Sequence, residues 1–426
     1  MIDRKTAPQT ELPTKLELIA TEQTTTPSGV VIHSLYAPSA DVVRVSLIFD
    51  VGSRHQNLPF LANTTVAMLA EGCQAKTSEQ IAEHFDFYGI YYDASVDRDS
   101  TIITIAAASE FLVPALEMVR DMIAHPTFDE HDLELHKAKR REQMIIDNQK
   151  PATIARRNFV GALFGDDHPY GRTWDPDMID PLTSDDLRAF HRQWFVTSNM
   201  YVVSSGNVVG ETIAQITNAV ELLPRGEKTV DQSIMLPTRE GLHRDIWREG
   251  VTQSSIRMGC LMPGKSSIDF IPLQLLTTVL GGYFSSRLMQ NLREERGYTY
   301  GVYAGLATLR YASYMAIQCE VASEVQADAI EQIKYEIRRL TTEKISSEEL
   351  AMAKNTIIGE LMRLVDGPFG IADITIENLQ SGVADDYINT FLARISSTTS
   401  DELLALAARY FDPERLTQVV VGSHKE

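Results

Sequence analysis

The sequence predicts an α+β protein built from two similar domains. The chain has 426 residues, and domains of roughly 100–200 residues would divide a chain of this length into two to four units. The same order of predicted strands and helices occurs twice, which indicates a diverged duplication. Within each half the strands follow one another too closely for every connection to be a parallel crossover. We therefore expect two α+β domains of about 200 residues each, with much antiparallel pairing.

Composition and charge exclude several classes of protein. The chain is 44% apolar and 23% charged, which is typical of a folded protein and not of a disordered one. Its long apolar stretches, such as residues 102–108, are far shorter than the about 18 residues that cross a bilayer, so no membrane contact is expected. Residues 1–15 have neither an apolar export segment nor an arginine-rich targeting pattern, which predicts a cytoplasmic location. A net charge of −19 argues against nucleic acid as a partner.

Local patterns place the elements of the first half. Alternation of apolar residues over residues 42–51 predicts a strand, and a helical period follows around residues 63–70. Thr77 and Gln80 have the spacing of a capping box, which predicts a helix over residues 78–88 that ends at Gly89. The further predicted elements are strands over 90–96 and 101–108 and helices over 113–123 and 129–149.

A segment without regular periodicity separates the two halves. Residues 223–241 contain two prolines, two glycines and mixed charges, as linkers do. We therefore predict a first domain over 1–222, a linker over 223–241 and a second domain over 242–426. The predicted elements of the second half are strands over 255–260, 298–308 and 311–321, and helices over 271–280, up to 297, over 327–341 and over 347–365.

Common catalytic motifs are absent from the sequence. It has no phosphate-binding loop of the Walker type and no GxSxG nucleophile turn. Two histidines one helical turn apart would suggest a zinc site, but no two of the ten histidines are three or four residues apart. From the residues alone we expect no metal bound to this chain.

One long segment resembles a known family. Residues 280–300, LGGYFSSRLMQNLREERGYTY, resemble the second-domain signature of the M16 peptidases, which include pitrilysin, insulinase and the mitochondrial processing peptidase. FDVGSR at 49–54, ALFGDDHPYG at 162–171 and SNMYVV at 198–203 resemble other blocks of that family in the same order. The resemblance extends from about residue 15 to residue 421. It implies two homologous domains of the LuxS and processing-peptidase type, each an antiparallel-rich sheet with helices on one face.

The sequence departs from the family at the zinc site. Active members carry an inverted motif, HxxEH, on the helix after VGSR, and a glutamate further along is the third ligand. By resemblance, Asn63 and Ala67 occupy the two histidine positions and Val66 that of the general-base glutamate. The family's interval from Ala67 leads to Gln143 at the third ligand. Alanine and valine cannot bind zinc and the two amides are weak donors, so a degenerate zinc site is expected.

The other half of the family's catalytic apparatus is retained. Members carry an arginine and a tyrosine in the pattern RGxxY that hold the substrate's carbonyl oxygen, and by resemblance these are Arg296 and Tyr300. The resemblance therefore implies an inactive subunit of a heterodimeric zinc peptidase, with zinc on a paralogous partner that carries HxxEH and cleaves peptides. Two alternatives stay open: a structural subunit with no peptidase role, and a self-sufficient zinc metallopeptidase. Whether the chain alone forms homodimers is also open.

Overall fold

Two mixed sheets form the centre of the molecule. The computed structural model describes residues 13–231, 234–237 and 240–423. Within these ranges there is a six-stranded sheet, a five-stranded sheet and a two-stranded hairpin. This arrangement confirms the predicted α+β class with two sheet-containing halves.

The first sheet has the strand order β1-β2-β8-β3-β7-β6. Neighbouring strands are antiparallel except β2 and β8, which run parallel. Its strands are β1 Thr21–Thr25, β2 Val31–Tyr36, β3 Val42–Phe49, β6 Tyr91–Val96, β7 Thr101–Ala108 and β8 Met200–Gly206, and β4 Gly72–Cys73 pairs with β5 Lys76–Thr77 as the hairpin. The helices of this half are α1 Leu61–Ala67, α2 Ser78–Tyr88, α3 Leu112–Ala124, α4 Glu130–Asp147, α5 Pro151–Phe164, α6 Ser184–Trp194 and α7 Gly210–Glu221.

The second sheet has the strand order β11-β12-β10-β13-β9. Only the β13 and β9 pair is parallel among its described neighbours. Its strands are β9 His243–Trp247, β10 Gln253–Met262, β11 Val302–Thr308, β12 Ser313–Ala322 and β13 Thr417–Gly422. Its helices are α8 Phe270–Gly281, a π-helical segment Met289–Glu295, α9 Gln326–Thr342, α10 Ser347–Leu364, α11 Pro368–Ser381, α12 Tyr387–Ser397 and α13 Ser400–Tyr410.

Each sheet has helices of its own half on one face and one helix from the other half on the opposite face. Along β3, Val45 and Leu47 join the core of the first half, whereas Ile48 packs against Ile371 and Ile376 of α11. This division follows from the two-residue period of a strand. In the second sheet, α5 of the first half packs against β10 and β13. The two halves thus exchange helices reciprocally.

The second half differs locally from the sequence prediction around Gly297. The predicted strand over 298–308 begins only at Val302, because Tyr298 still bonds to the preceding helix and residues 299–301 form a local loop. The Tyr298 amide donates to the Leu292 carbonyl over 2.8 Å, and the Gly301 amide donates to the Thr299 hydroxyl over 3.1 Å. The preceding helix is also π-helical, not α-helical, over Met289–Glu295.

The capping box at the start of α2 is confirmed. The Gln80 amide donates to the Thr77 hydroxyl, and the Thr77 amide donates to the Gln80 side chain over 3.1 Å. None of the helices in the described ranges combines the length and apolarity needed to cross a bilayer.

Candidate functional site

The first candidate position is the exposed face of α1. This short helix begins after Phe60, and its Ala62 amide is capped by the Gln56 side chain over 3.0 Å. Asn63 is exposed and Ala67 is half-buried one turn later. Val66 is 3% exposed and packs in the core of the first half. The exposed face of α1 therefore carries the Asn63 amide and the Ala67 methyl group, whereas Val66 faces the core.

The fourth predicted zinc position lies on α4. Gln143 is exposed, and its amide donates to the Asp147 carboxylate over 3.2 Å. Zinc in proteins is bound by cysteine, histidine, aspartate or glutamate, and none of these occurs at positions 63, 66, 67 or 143. Across the described ranges, no three His, Cys, Asp or Glu side chains are grouped so that they could hold a metal ion. The donor set at the four predicted positions does not fit zinc.

Arg296 is oriented by a buried amide at the end of the π-helical segment. Its Nε donates to Oδ1 of Asn291 over 2.9 Å, and Nη1 lies 3.6 Å from Oδ2 of Asp328. Asn291 is in turn fixed because its Nδ2 donates to the buried Glu336 carboxylate over 2.7 Å. The guanidinium therefore lies near the surface, and some of its N–H groups already face acceptors on neighbouring side chains.

Tyr300 is almost fully exposed. Its side chain is 93% exposed, and it lines a cavity of about 540 Å³ on the second sheet together with Arg257 and Tyr303. Arg296 lines a different cavity, between the π-helical segment and α9. The structure therefore places both donors on the surface of the second half but does not bring them into one pocket of this chain.

Sequence reasoning assigned no role to a buried ion cluster that joins the two halves. In what we call the interdomain ion cluster, Arg54 donates to Asp99 over 2.6 Å and also to Asp231. Arg310, in the turn between β11 and β12, donates to Asp50 over 2.6 Å and lies 3.3 Å from Asp231. Asp50 and Arg54 belong to the FDVGSR block, which was the signal available in the sequence.

Asp231 is the shared acceptor of this cluster. Burial opposes ionisation, but hydrogen bonds from Arg54, Tyr311 and His55 and the charge of Arg54 lower the pKa of Asp231 to about 2. The Tyr311 hydroxyl donates to Asp231 over 2.7 Å. His55 has a lowered pKa, first because of burial and then because of the Arg54 charge. These contacts give Arg54, the arginine of the VGSR block, a structural role in joining the two halves.

Comparison with known proteins extends these observations. A sequence model described as insulinase (peptidase family M16) matches residues 31–173, and one described as peptidase M16 inactive domain matches residues 181–357. An uncharacterized zinc protease of Mycobacterium tuberculosis is 24% identical over 414 residues, which cover 95% of this chain and 94% of that protein.

Solved structures share the fold along almost the whole chain. The peptidase M16 inactive domain from Pseudomonas fluorescens superposes with a TM-score of 0.87 at 22% identity, covering 95% of this chain and 98% of that one. A protease from Helicobacter pylori superposes with a TM-score of 0.86 at 18% identity, covering 95% and 100%. Since the two matching models together span well over half of the sequence, this chain belongs to the M16 peptidase family.

Proposed function

We propose that this chain is the catalytically inactive subunit of a heterodimeric M16 zinc peptidase. It supplies Arg296 and Tyr300 to a peptide that is cut on a paralogous partner, and the partner carries HxxEH and the zinc. The observation that carries the proposal is the chemistry of residues 63, 66, 67 and 143, which offer neither a zinc ligand nor a general base. The zinc-protease names of the relatives support a peptide substrate, and the cytoplasmic location stays a prediction.

The proposed role of the two donors follows from their exposure. A guanidinium and a phenol O–H are donors that bind a peptide carbonyl and stabilise the negative charge it gains during attack. Tyr300 needs no rearrangement to reach a peptide, since it is 93% exposed. Arg296 is exposed, and the orientation of its guanidinium is fixed by Asn291.

The first experiment measures metal content and activity of the isolated chain. We expect no stoichiometric zinc after incubation and dialysis, no peptide cleavage, and an unfolding temperature unaffected by a chelator. Stoichiometric zinc with cleavage would overturn the proposal in favour of a self-sufficient metallopeptidase.

The second experiment uses the assembled pair. Mixing with an HxxEH paralogue should produce peptidase activity, and Arg296→Ala with Tyr300→Phe should lower kcat/KM by about 100-fold or more, since a lost oxyanion donor costs roughly 10²–10³-fold. The matched control is Arg363→Ala with Tyr36→Phe, at exposed positions away from the site. It should leave kcat/KM unchanged.

One observation favours a second candidate, a structural subunit without a peptidase role. Arg296 is bonded to Asn291 and Asp328 and lines a cavity separate from that of Tyr300. If assembly with the partner proceeds and the double variant keeps full activity, the structural role is the correct one.

A further inference from the structure

Helix α9 presents a row of three acceptors to the π-helical segment. Asp328, Gln332 and Glu336 recur every four residues, so they lie on one face of the helix. Asn291 of the π-helical segment donates from Nδ2 to the Glu336 carboxylate over 2.7 Å and to Oε1 of Gln332 over 3.3 Å. Its Oδ1 accepts from Nε of Arg296 over 2.9 Å. The row therefore reaches the guanidinium of Arg296 through one amide.

The two carboxylates of the row set the direction of both amides. An ionised carboxylate only accepts hydrogen bonds, whereas an amide has one donating and one accepting end. Asp328 accepts from Nε2 of Gln332 over 3.2 Å, which leaves Oε1 of Gln332 to accept from Asn291. Glu336 takes the donating end of Asn291, so the accepting end is left for Arg296. We call Asp328, Gln332, Asn291 and Glu336 the amide relay.

The inner end of the amide relay is shielded from water. Glu336 is 2% exposed and Asn291 is 5% exposed. The counter-ion of Glu336 is Arg339, whose Nη1 lies 3.1 Å from Oε2. A buried carboxylate must be paired and hydrogen-bonded, so the bond from Asn291 is costly to lose. The direction of the Asn291 amide is therefore fixed more firmly than that of an amide in solvent.

The amide relay engages two of the three guanidinium nitrogens of Arg296. Nε is bonded to Asn291, and Nη1 lies 3.6 Å from Oδ2 of Asp328, which also accepts the Tyr298 hydroxyl over 2.7 Å. The ring centre of Tyr298 is 5.9 Å from the guanidinium carbon. Nη2 has no partner among the residues that the structure describes. Its N–H groups are thus available to a peptide without breaking an internal contact.

We propose that Glu336 and Asp328 are positioning residues for Arg296. Through Asn291 and Gln332 they hold the guanidinium so that Nη2 donates to the carbonyl oxygen of the bound peptide. A donor that is already oriented stabilises the charge developing on that oxygen without reorganising during the reaction. This inference rests on the proposed function, and it adds the side chains that keep Arg296 in place.

The first test observes Arg296 in the isolated chain. NMR of the chain labelled with ¹⁵N-arginine resolves side-chain Nε–H groups, and Arg296→Lys identifies the signal of Arg296. We expect this Nε–H to exchange slowly with water in the wild type. In Glu336→Gln the charged Arg339 takes the remaining oxygen, so the introduced nitrogen faces Asn291 and the Asn291 amide reverses. Exchange should then accelerate about tenfold, the effect of one lost hydrogen bond.

Two further variants keep this test decisive. Asp328→Asn changes the exposed end of the amide relay and tests it even if Glu336→Gln does not fold. It should also accelerate exchange, because Gln332 loses its fixed direction and Arg296 loses the charge near Nη1. Glu360→Gln removes the same charge at an exposed position of α10 and should leave the exchange rate unchanged.

The second test measures kcat and KM in the pair assembled with an HxxEH paralogue. Glu336→Gln should lower kcat about tenfold with little change in KM, because an oriented donor acts mainly in the transition state. In a chain that already carries Arg296→Ala, the same substitution should have no further effect. An equal loss with and without Arg296 would mean that Glu336 acts on the fold alone, and the inference would be wrong.

The two tests separate this inference from the proposed function. An assembled pair without peptidase activity overturns the proposed function and, with it, the catalytic use of Nη2. Fast exchange of the Arg296 Nε–H in the wild type, or unchanged exchange in a folded Glu336→Gln variant, overturns the amide relay even if the pair is active.

Discussion

At the scale of single residues, Asp231 is a point of contact between the two halves. It lies in the predicted linker, yet it accepts hydrogen bonds from Arg54 of the first half and Tyr311 of the second. Breaking a buried charged pair by removing one member is more costly than the pair itself is stabilising, because the remaining charge stays buried.

Asp231 makes the stability of the protein depend on pH in the acid range. Its pKa is lowered from 3.8 to about 2 in the folded chain, so its contribution is complete above pH 3.8 and is lost as the pH falls toward 2. The shift corresponds to at most about 2 kcal/mol, because solvent screens the partly exposed carboxylate. Chemical denaturation at several pH values should show this loss in the wild type, and Asp231→Asn should be less stable at pH 7 and lack this part of the pH dependence.

An exposed acid provides the control for that measurement. Asp366 is exposed and forms no ion pair with a described residue. Asp366→Asn should retain the wild-type profile. A wild-type stability that is flat between pH 4 and 2 would contradict the role assigned to Asp231.

The candidate site was only partly accessible from the sequence. Arg296 and Tyr300 could be singled out because RGxxY is contiguous, but their separation into two cavities depends on Asn291 and the π-helical turn.

At the scale of elements, the exchanged helices are the main feature that sequence patterns do not reveal. The capping box of α2 and the alternation along β3 are local and were predicted correctly. By contrast, the apolar face of α5 indicates burial but not against which sheet. Its partner strands β10 and β13 lie far along the chain, and so does the partner of α11.

Phe159 tests the exchange at α5. It is 2% exposed, and its ring approaches Tyr314 of the second sheet with centroids 6.3 Å apart. Phe159→Ala should lower the free energy of unfolding by about 3–5 kcal/mol, because a large buried ring leaves a cavity. Hydrogen exchange should accelerate in β10 and β13, although the substitution lies in the first half.

A second phenylalanine is the matched control. Phe87 on α2 is 82% exposed. Phe87→Ala should change stability by about 0.5 kcal/mol or less. If Phe159→Ala accelerated exchange only in the first sheet, the packing of α5 described above would be wrong.

At the scale of the whole molecule, the exchange makes the two halves interdependent. Without α11, the first sheet would expose Leu35, Ile48 and Val203, all of which are buried in the full chain. Without α5, the second would expose Val419 and Val421. Open apolar faces of this kind promote association.

Separate expression of the halves tests this interdependence. Fragments 1–241 and 242–426 should each aggregate or bind a hydrophobic dye when alone, whereas refolding them together should give a one-to-one complex in size-exclusion chromatography. A fragment 1–241 that is monomeric, dye-free and cooperative in thermal unfolding would contradict the prediction.

The reciprocal exchange of α5 and α11 also bears on how such a chain could arise. An ancestor consisting of one half would have needed a second copy of itself to shield the open side of its sheet. Fusion of two such genes would join partners that already rely on each other. Each copy would then be free to lose or keep its own chemistry, while neither could be discarded.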